Sequence, residues 1–169
     1  IEKMISEGKT PASFEKAGPR KNIYFDTSKT KCGIVICGGL CPGLNDVIRS
    51  VVHELYFRYN VENIFGIKYG LQGFIPEFGH DFIRLTPERV ENILEIGGSI
   101  LCSSRGEQDI GEVVDSLERM NINLLFMIGG DGTLKAGVAI SDEITRRKLK
   151  IGIIGIPKTI DNDISLVER

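Results

Sequence analysis

The run Cys32-Gly-Ile-Val-Ile-Cys37 is short, apolar and rich in β-branched residues, the pattern of a strand buried on both faces of a parallel sheet. From Pro42 onward the period changes. Leu44, Val47, Ile48, Val51, Val52, Leu55 and Tyr59 recur three and four residues apart, with Asn45, Arg49 and Glu54 falling between them, which predicts an amphipathic helix. A second strand is predicted over Asn63 to Lys68, then a helix after Thr86-Pro87 with Val90, Ile93 and Leu94 turned inward. Asp109 with Glu112 resembles a capping box ahead of Val113, Leu117 and Met120. An apolar strand over Ile122 to Ile128, a helix across about Leu134 to Arg147 and a last strand across Lys150 to Ile156 complete the alternation. Residues 1–30 are polar and carry Pro11, Gly18 and Pro19 without sustained periodicity. They are expected to form an N-terminal extension with a short strand at Ile23 to Phe25, ahead of a packed domain over residues 31–169.

Strands alternating with helices predict an α/β fold, a Rossmann-like parallel sheet with helices on both faces and right-handed crossovers. The ligand cleft of such a sheet lies at the carboxyl ends of its strands. Three of those ends are chemically marked: Gly38-Gly39, then Gly129-Gly130-Asp131-Gly132-Thr133, then Pro157-Lys158-Thr159-Ile160-Asp161-Asn162-Asp163. They are expected to converge on one edge of the sheet.

Composition narrows the possibilities. With 41% hydrophobic and 26% charged residues the 169-residue chain is an ordinary globular sequence, and a formal net charge of −2 offers no global attraction for nucleic acid or an anionic membrane. The sequence contains no apolar run of membrane-spanning length and no secretory core in residues 1–31, so a cytoplasmic protein is expected. Cys32, Cys37, Cys41 and Cys102 form no CxxC pair, and the first two read as small hydrophobes in a strand. His53, on a helical pattern, and His80, in a loop, read as structural. The 20 glycines cluster after apolar runs, where backbone can approach a ligand closely.

Gly130-Asp131-Gly132-Thr133 is a tight turn entering a helix, so its amides and the helix dipole suit phosphate oxygens. Asp131 repels phosphate unless Mg²⁺ intervenes, an ion that takes one or two carboxylates together with waters and phosphates. A helix-capping aspartate accounts for the same residue equally well. The loop Gly38-Gly39-Leu-Cys-Pro-Gly43 matches neither the dinucleotide fingerprint nor a P-loop. Alternation in an extended stretch would turn Thr159, Asp161 and Asp163 the same way, giving a carboxylate able to take a proton from an attacking hydroxyl. Arg105 can bridge phosphates or serve as an exposed loop arginine.

Taken together, Gly38-Gly39-Leu-Cys-Pro-Gly43-Leu-Asn45, Tyr69-Gly70-Leu-Gln-Gly73, Gly97-Gly98-Ser99, Ser104-Arg105-Gly106, Gly129 to Thr133 and Pro157 to Asp163 resemble the phosphofructokinase family, in order and at suitable spacing from about Ile23 onward. The resemblance implies the first domain of a two-domain fold, and transfer of the ATP γ-phosphoryl group to the 1-hydroxyl of fructose 6-phosphate to give fructose 1,6-bisphosphate. It implies Asp161 as base and Thr159 on the transferred phosphate, with Ile160 beside them in the substrate site. It also implies Mg²⁺ on Asp131 and Asp163. Gly38, Arg105, Gly106, Gly130, Gly132 and Thr133 would line the ATP phosphates, with Tyr69 beside the nucleotide. The family has ATP-using and pyrophosphate-using members, and the latter resemble a form with Asp where Gly132 stands, which favours ATP here. Lys158 is typical of the pyrophosphate enzymes, yet an ATP-using subgroup related to them is similar in having both the glycine and the lysine. A pyrophosphate-dependent enzyme and a non-catalytic nucleotide- or sugar-phosphate-binding subunit are the alternatives. NAD kinases and diacylglycerol kinases share the Gly-Gly-Asp-Gly-Thr turn but leave Pro157 to Asp163 unexplained. Complete members continue past Arg169 into a second domain, so this chain alone is expected to be inert, and the full-length protein is expected to be a homo-oligomer.

Overall fold

The computed structural model describes residues 2–10, 18 and 22–162; Asp163 and the rest of the C-terminus lie outside them. Ahead of the sheet stands a five-residue helix, α1 (Glu2–Ser6), followed later by bends and turns over residues 22–29. The strand expected at Ile23 to Phe25 does not form. The Asp26 carboxylate accepts from the Ser28 amide (3.2 Å) and hydroxyl (2.7 Å), and the Asp26 carbonyl accepts from the Thr30 hydroxyl (2.7 Å). Such local bonds give the backbone an alternative to a ladder.

The sheet is built from β1 (Lys31–Ile36), β2 (Asn63–Ile67), β3 (Phe82–Arg84), β4 (Leu124–Gly129) and β5 (Gly152–Pro157). Its order is β3-β2-β1-β4-β5. β1 pairs in parallel with β2 and β4, and β4 with β5, while the three-residue β3 runs antiparallel at the edge. The predicted parallel core is therefore present, with one antiparallel strand too short to announce itself in the sequence.

Period-two alternation along β1 divides the core into two layers. Cys32, Ile34 and Ile36 pack with Leu44, Ile48 and Val52 of α2 (Leu44–His53), whereas Val35 and Cys37 pack with the opposite layer. That second layer is supplied by Val113, Val114 and Leu117 of α3 (Ile110–Arg119) and by Ile140 and Ile144 of α4 (Asp131–Arg146). Helices thus cover both faces. Burial raises the Cys32 thiol to about 12 and the Cys37 thiol to about 11, so both behave as small apolar groups. α2 runs on through a π-helical turn, Glu54–Arg58. α3 opens with the Asp109 carboxylate accepting from the Glu112 amide at 2.9 Å, one half of the predicted box. Arg147 joins the two helices by pairing with Asp115 and with Glu143, whose carboxyl is held down to about 2 by Arg146 and Arg147.

The segment after Thr86-Pro87 departs from expectation. Turns occupy residues 87–92, followed by a 3₁₀ helix, Ile93–Glu95. Val90 and Ile93 are buried but Leu94 is 50% exposed. The cause lies in Asn45, placed among the polar positions of α2 by the sequence pattern yet buried in the structure. Its amide donates to the Ile93 (3.0 Å) and Ile96 (2.9 Å) carbonyls, and its oxygen accepts from the Ile100 amide (3.0 Å). The Ile93 carbonyl also accepts from the Ile96 amide at 3.1 Å, closing a 3₁₀ turn, and the chain folds back around Asn45. Among the described residues no helix is long and apolar enough to cross a membrane.

Candidate active site

From β1 the chain crosses to β2 on one side, while β4 occupies the other side of β1. This reversal of strand order opens a crevice outside the carboxyl ends of β1 and β4. Register brings those ends level: Ile36 pairs with Ile128 and Gly129 with Pro157. The ladder then continues into the turns, with the Cys37 amide donating to Ile128 and the Lys158 amide to Gly129, each at 2.9 Å. Gly38 has φ 81°, a left-handed conformation that a side chain would strain. Its amide donates to the Ser104 carbonyl at 3.2 Å, and its own carbonyl accepts from the Ser103 hydroxyl. Gly129 is required by closeness instead: a Cβ there would lie 2.2 Å from the Thr133 hydroxyl oxygen.

The resulting cleft has a volume of about 650 Å³. Of the residues expected there, Gly38, Arg105, Gly106, Gly130, Gly132, Thr133 and Lys158 line it. The Lys158 ammonium donates to the Gly39 carbonyl at 2.5 Å, and a Cβ on Gly39 would be 3.3 Å from Ile160 and 3.6 Å from the Arg105 guanidinium. Three loops distant in sequence therefore meet over Gly39. Thr159, Ile160, Asp161, Asp131 and Tyr69 are not among the lining residues. Ile160 and Asp161 lie in a bend, both exposed, so the alternation expected after β5 does not carry through this segment. Asp163 lies outside the described residues.

Asp131 is the first residue of α4, after Gly130 as the cap, and the helix has no side-chain cap bond. The capping role is thereby set aside. Its carboxylate, 79% exposed, pairs with Lys135 one turn along at 2.7 Å, and this bond raises the Lys135 ammonium above its ordinary range. A magnesium ion fits these surroundings. A hard, solvent-accessible carboxylate, 79% exposed, stands at the start of α4 directly after the glycine turn. That is the donor set of an ion completed by phosphates and water.

Tyr69, at the end of β2, holds φ 60°. Its amide donates to Leu101 at 2.9 Å, and its ring stacks on His80 with centroids 4.3 Å apart. His80 also stacks on Phe78, a structural role consistent with the sequence reading. Lys135, Glu107, Gln108, Leu71 and Ala136 also line the cleft, though none was expected there from the sequence. For Lys135 a signal existed, four residues beyond Asp131 on one helix face.

An open, largely parallel sheet with glycine-rich turns gathered at its switch point defines an α/β domain with a partly cationic cleft of about 650 Å³. Residues 31–169 match the phosphofructokinase family model, and the chain belongs to that family. It is 55% identical over 155 residues to the ATP-dependent 6-phosphofructokinase of Borreliella burgdorferi, covering 92% of this chain and 35% of that protein. It is 53% identical over 150 residues to the Entamoeba histolytica protein of the same description, covering 89% of this chain and 34% of the other. The chain thus spans about a third of the length of these curated relatives. In structure it is similar to the pyrophosphate-dependent phosphofructokinase of Marinobacter aquaeolei, with a TM-score of 0.72 at 18% identity over 80% of this chain and 35% of that one, a likeness of fold.

Proposed function

We propose that this chain supplies the donor cleft and the base of an ATP-dependent 6-phosphofructokinase. The carrying observation is the convergence of the β1, β4 and β5 ends, with Arg105, Lys158 and Ile160 all placed around Gly39. Amides of the Gly130–Thr133 turn receive the phosphate oxygens beside the side-chain-free Gly38, and Arg105 adds a planar cation suited to bidentate contact. Magnesium, held by Asp131 when bound, would offset charge on the transferred group. The 1-hydroxyl oxygen of fructose 6-phosphate attacks the γ-phosphorus, the β–γ bridging oxygen departs with ADP, and the hydroxyl proton passes to the Asp161 carboxylate. Thr159, two residues before Asp161, would contact the transferred phosphate. Full-length enzyme supplied with Mg²⁺ and fructose 6-phosphate should form fructose 1,6-bisphosphate with ATP and not with pyrophosphate. Turnover with pyrophosphate alone would reverse the donor assignment.

Pyrophosphate is the second reading because Lys158, the residue type by which the chain resembles pyrophosphate-using members, lines the cleft. Gly132 favours ATP. A Cβ at Gly132 meets nothing within 4 Å, so the fold tolerates a side chain there and the side chain enters space that a nucleotide needs. Gly132→Asp should leave stability unchanged while raising the KM for ATP about 10-fold or more, the effect of one misplaced charge near phosphate. Unaltered ATP kinetics would remove the steric argument.

A further inference from the structure

Lys135 lines the cleft, whereas Asp131, its ion-pair partner at 2.7 Å, does not. The two share one turn of α4, and their side chains are 75% and 79% exposed. An exposed pair of this kind contributes little to stability and is easily exchanged. The remaining charged side chains on the cleft wall are Arg105, Lys158 and Glu107, and Lys158 is already engaged on the Gly39 carbonyl. Lys135 is a cation on a flexible four-carbon stem, anchored among the described residues by a carboxylate that the proposed function assigns to a metal.

We propose that Lys135 is a donor-binding residue held in reserve on Asp131. While the cleft is without ligand, Lys135 neutralises the carboxylate. When a divalent ion takes Asp131, the ammonium is released and moves onto a phosphate oxygen of the incoming donor, so that two positive charges replace one at Asp131 and the ammonium's charge is delivered to the polyphosphate. The exchange breaks no covalent bond and moves no proton. It rests on the reading of Asp131 as the metal residue. It also predicts that metal and nucleotide bind cooperatively, because each vacates a position the other uses.

The test uses full-length enzyme and a non-hydrolysable ATP analogue, with calorimetry for the nucleotide and Mn²⁺ paramagnetic resonance for the metal. Lys135→Met keeps an exposed helical position and removes the charge. It should weaken binding of the metal–nucleotide complex about 10-fold, the effect of one lost charge-assisted contact. It should also tighten Mn²⁺ binding without nucleotide, since the competing ammonium is gone. Lys135→Arg should restore most of the nucleotide affinity. Equal nucleotide affinity in wild type and Lys135→Met overturns the proposal, as does Mn²⁺ affinity that falls in the variant. A wild-type enzyme that binds no metal–nucleotide complex would instead overturn the proposed function, and this idea with it.

Discussion

Asn in place of Asp161 is expected to lower kcat of the full-length enzyme by about 10²–10⁴-fold, the usual contribution of a positioned general base. The amide has nearly the size of the carboxylate but cannot accept the proton released as the sugar oxygen attacks. Asp161 is exposed in a bend after β5, so the substitution should leave the fold intact. The proposed donor contacts come from the β1 and β4 turns, so the KM for ATP should change little. Steady-state kinetics with ATP and fructose 6-phosphate, alongside thermal denaturation, would separate these effects. A variant retaining more than a tenth of wild-type kcat would show that another group takes the proton.

Leu125→Ala should destabilise the protein by about 3–5 kcal/mol, the upper part of the range for large-to-small core changes. Leu125 is fully buried on β4, in register with Gly33 on β1 and Ile153 on β5. Its Cδ1 lies 3.1 Å from where a Gly33 Cβ would stand, with Ile67 and Ile122 also within 3.2 Å. The leucine therefore fills volume that the glycine leaves empty. Removing it opens a cavity beside a residue with no side chain to relax into the space. Leu125→Met, close to volume-conserving, should cost less than about 1.5 kcal/mol. Denaturant midpoints at unchanged slope would measure both. A loss below about 1 kcal/mol for the alanine variant would mean that the layer re-closes around the gap.

Much of the fold was legible because the strands of a sheet covered on both faces must be apolar throughout. Lys31–Ile36, Leu124–Gly129 and Gly152–Pro157 each lie within about two residues of their predicted spans. Helices α2, α3 and α4 followed from their apolar stripes, and Asp109 marked the start of α3 by the chemistry of an unsatisfied amide. Where prediction failed, a distant partner had intervened. Asn45 reads as a polar surface residue until Ile93, Ile96 and Ile100 turn to meet it. β3 exists only because β2 offers it an edge.

The glycine turns, their order and their placement after apolar runs were properties of the sequence alone, because local backbone requirements and side-chain periodicity act over a few residues. They were enough to indicate phosphate chemistry and a strand-end cleft. Which side chains share that cleft was decided by tertiary structure. Lys135 and Lys158 enter its wall, Arg105 reaches Gly39 from about 65 residues away in sequence, and Asp131 turns to Lys135 instead of capping its helix. The physical reason is that strand order brings β1, β4 and β5 side by side through crossovers whose pairing energy is gained only when the whole sheet assembles.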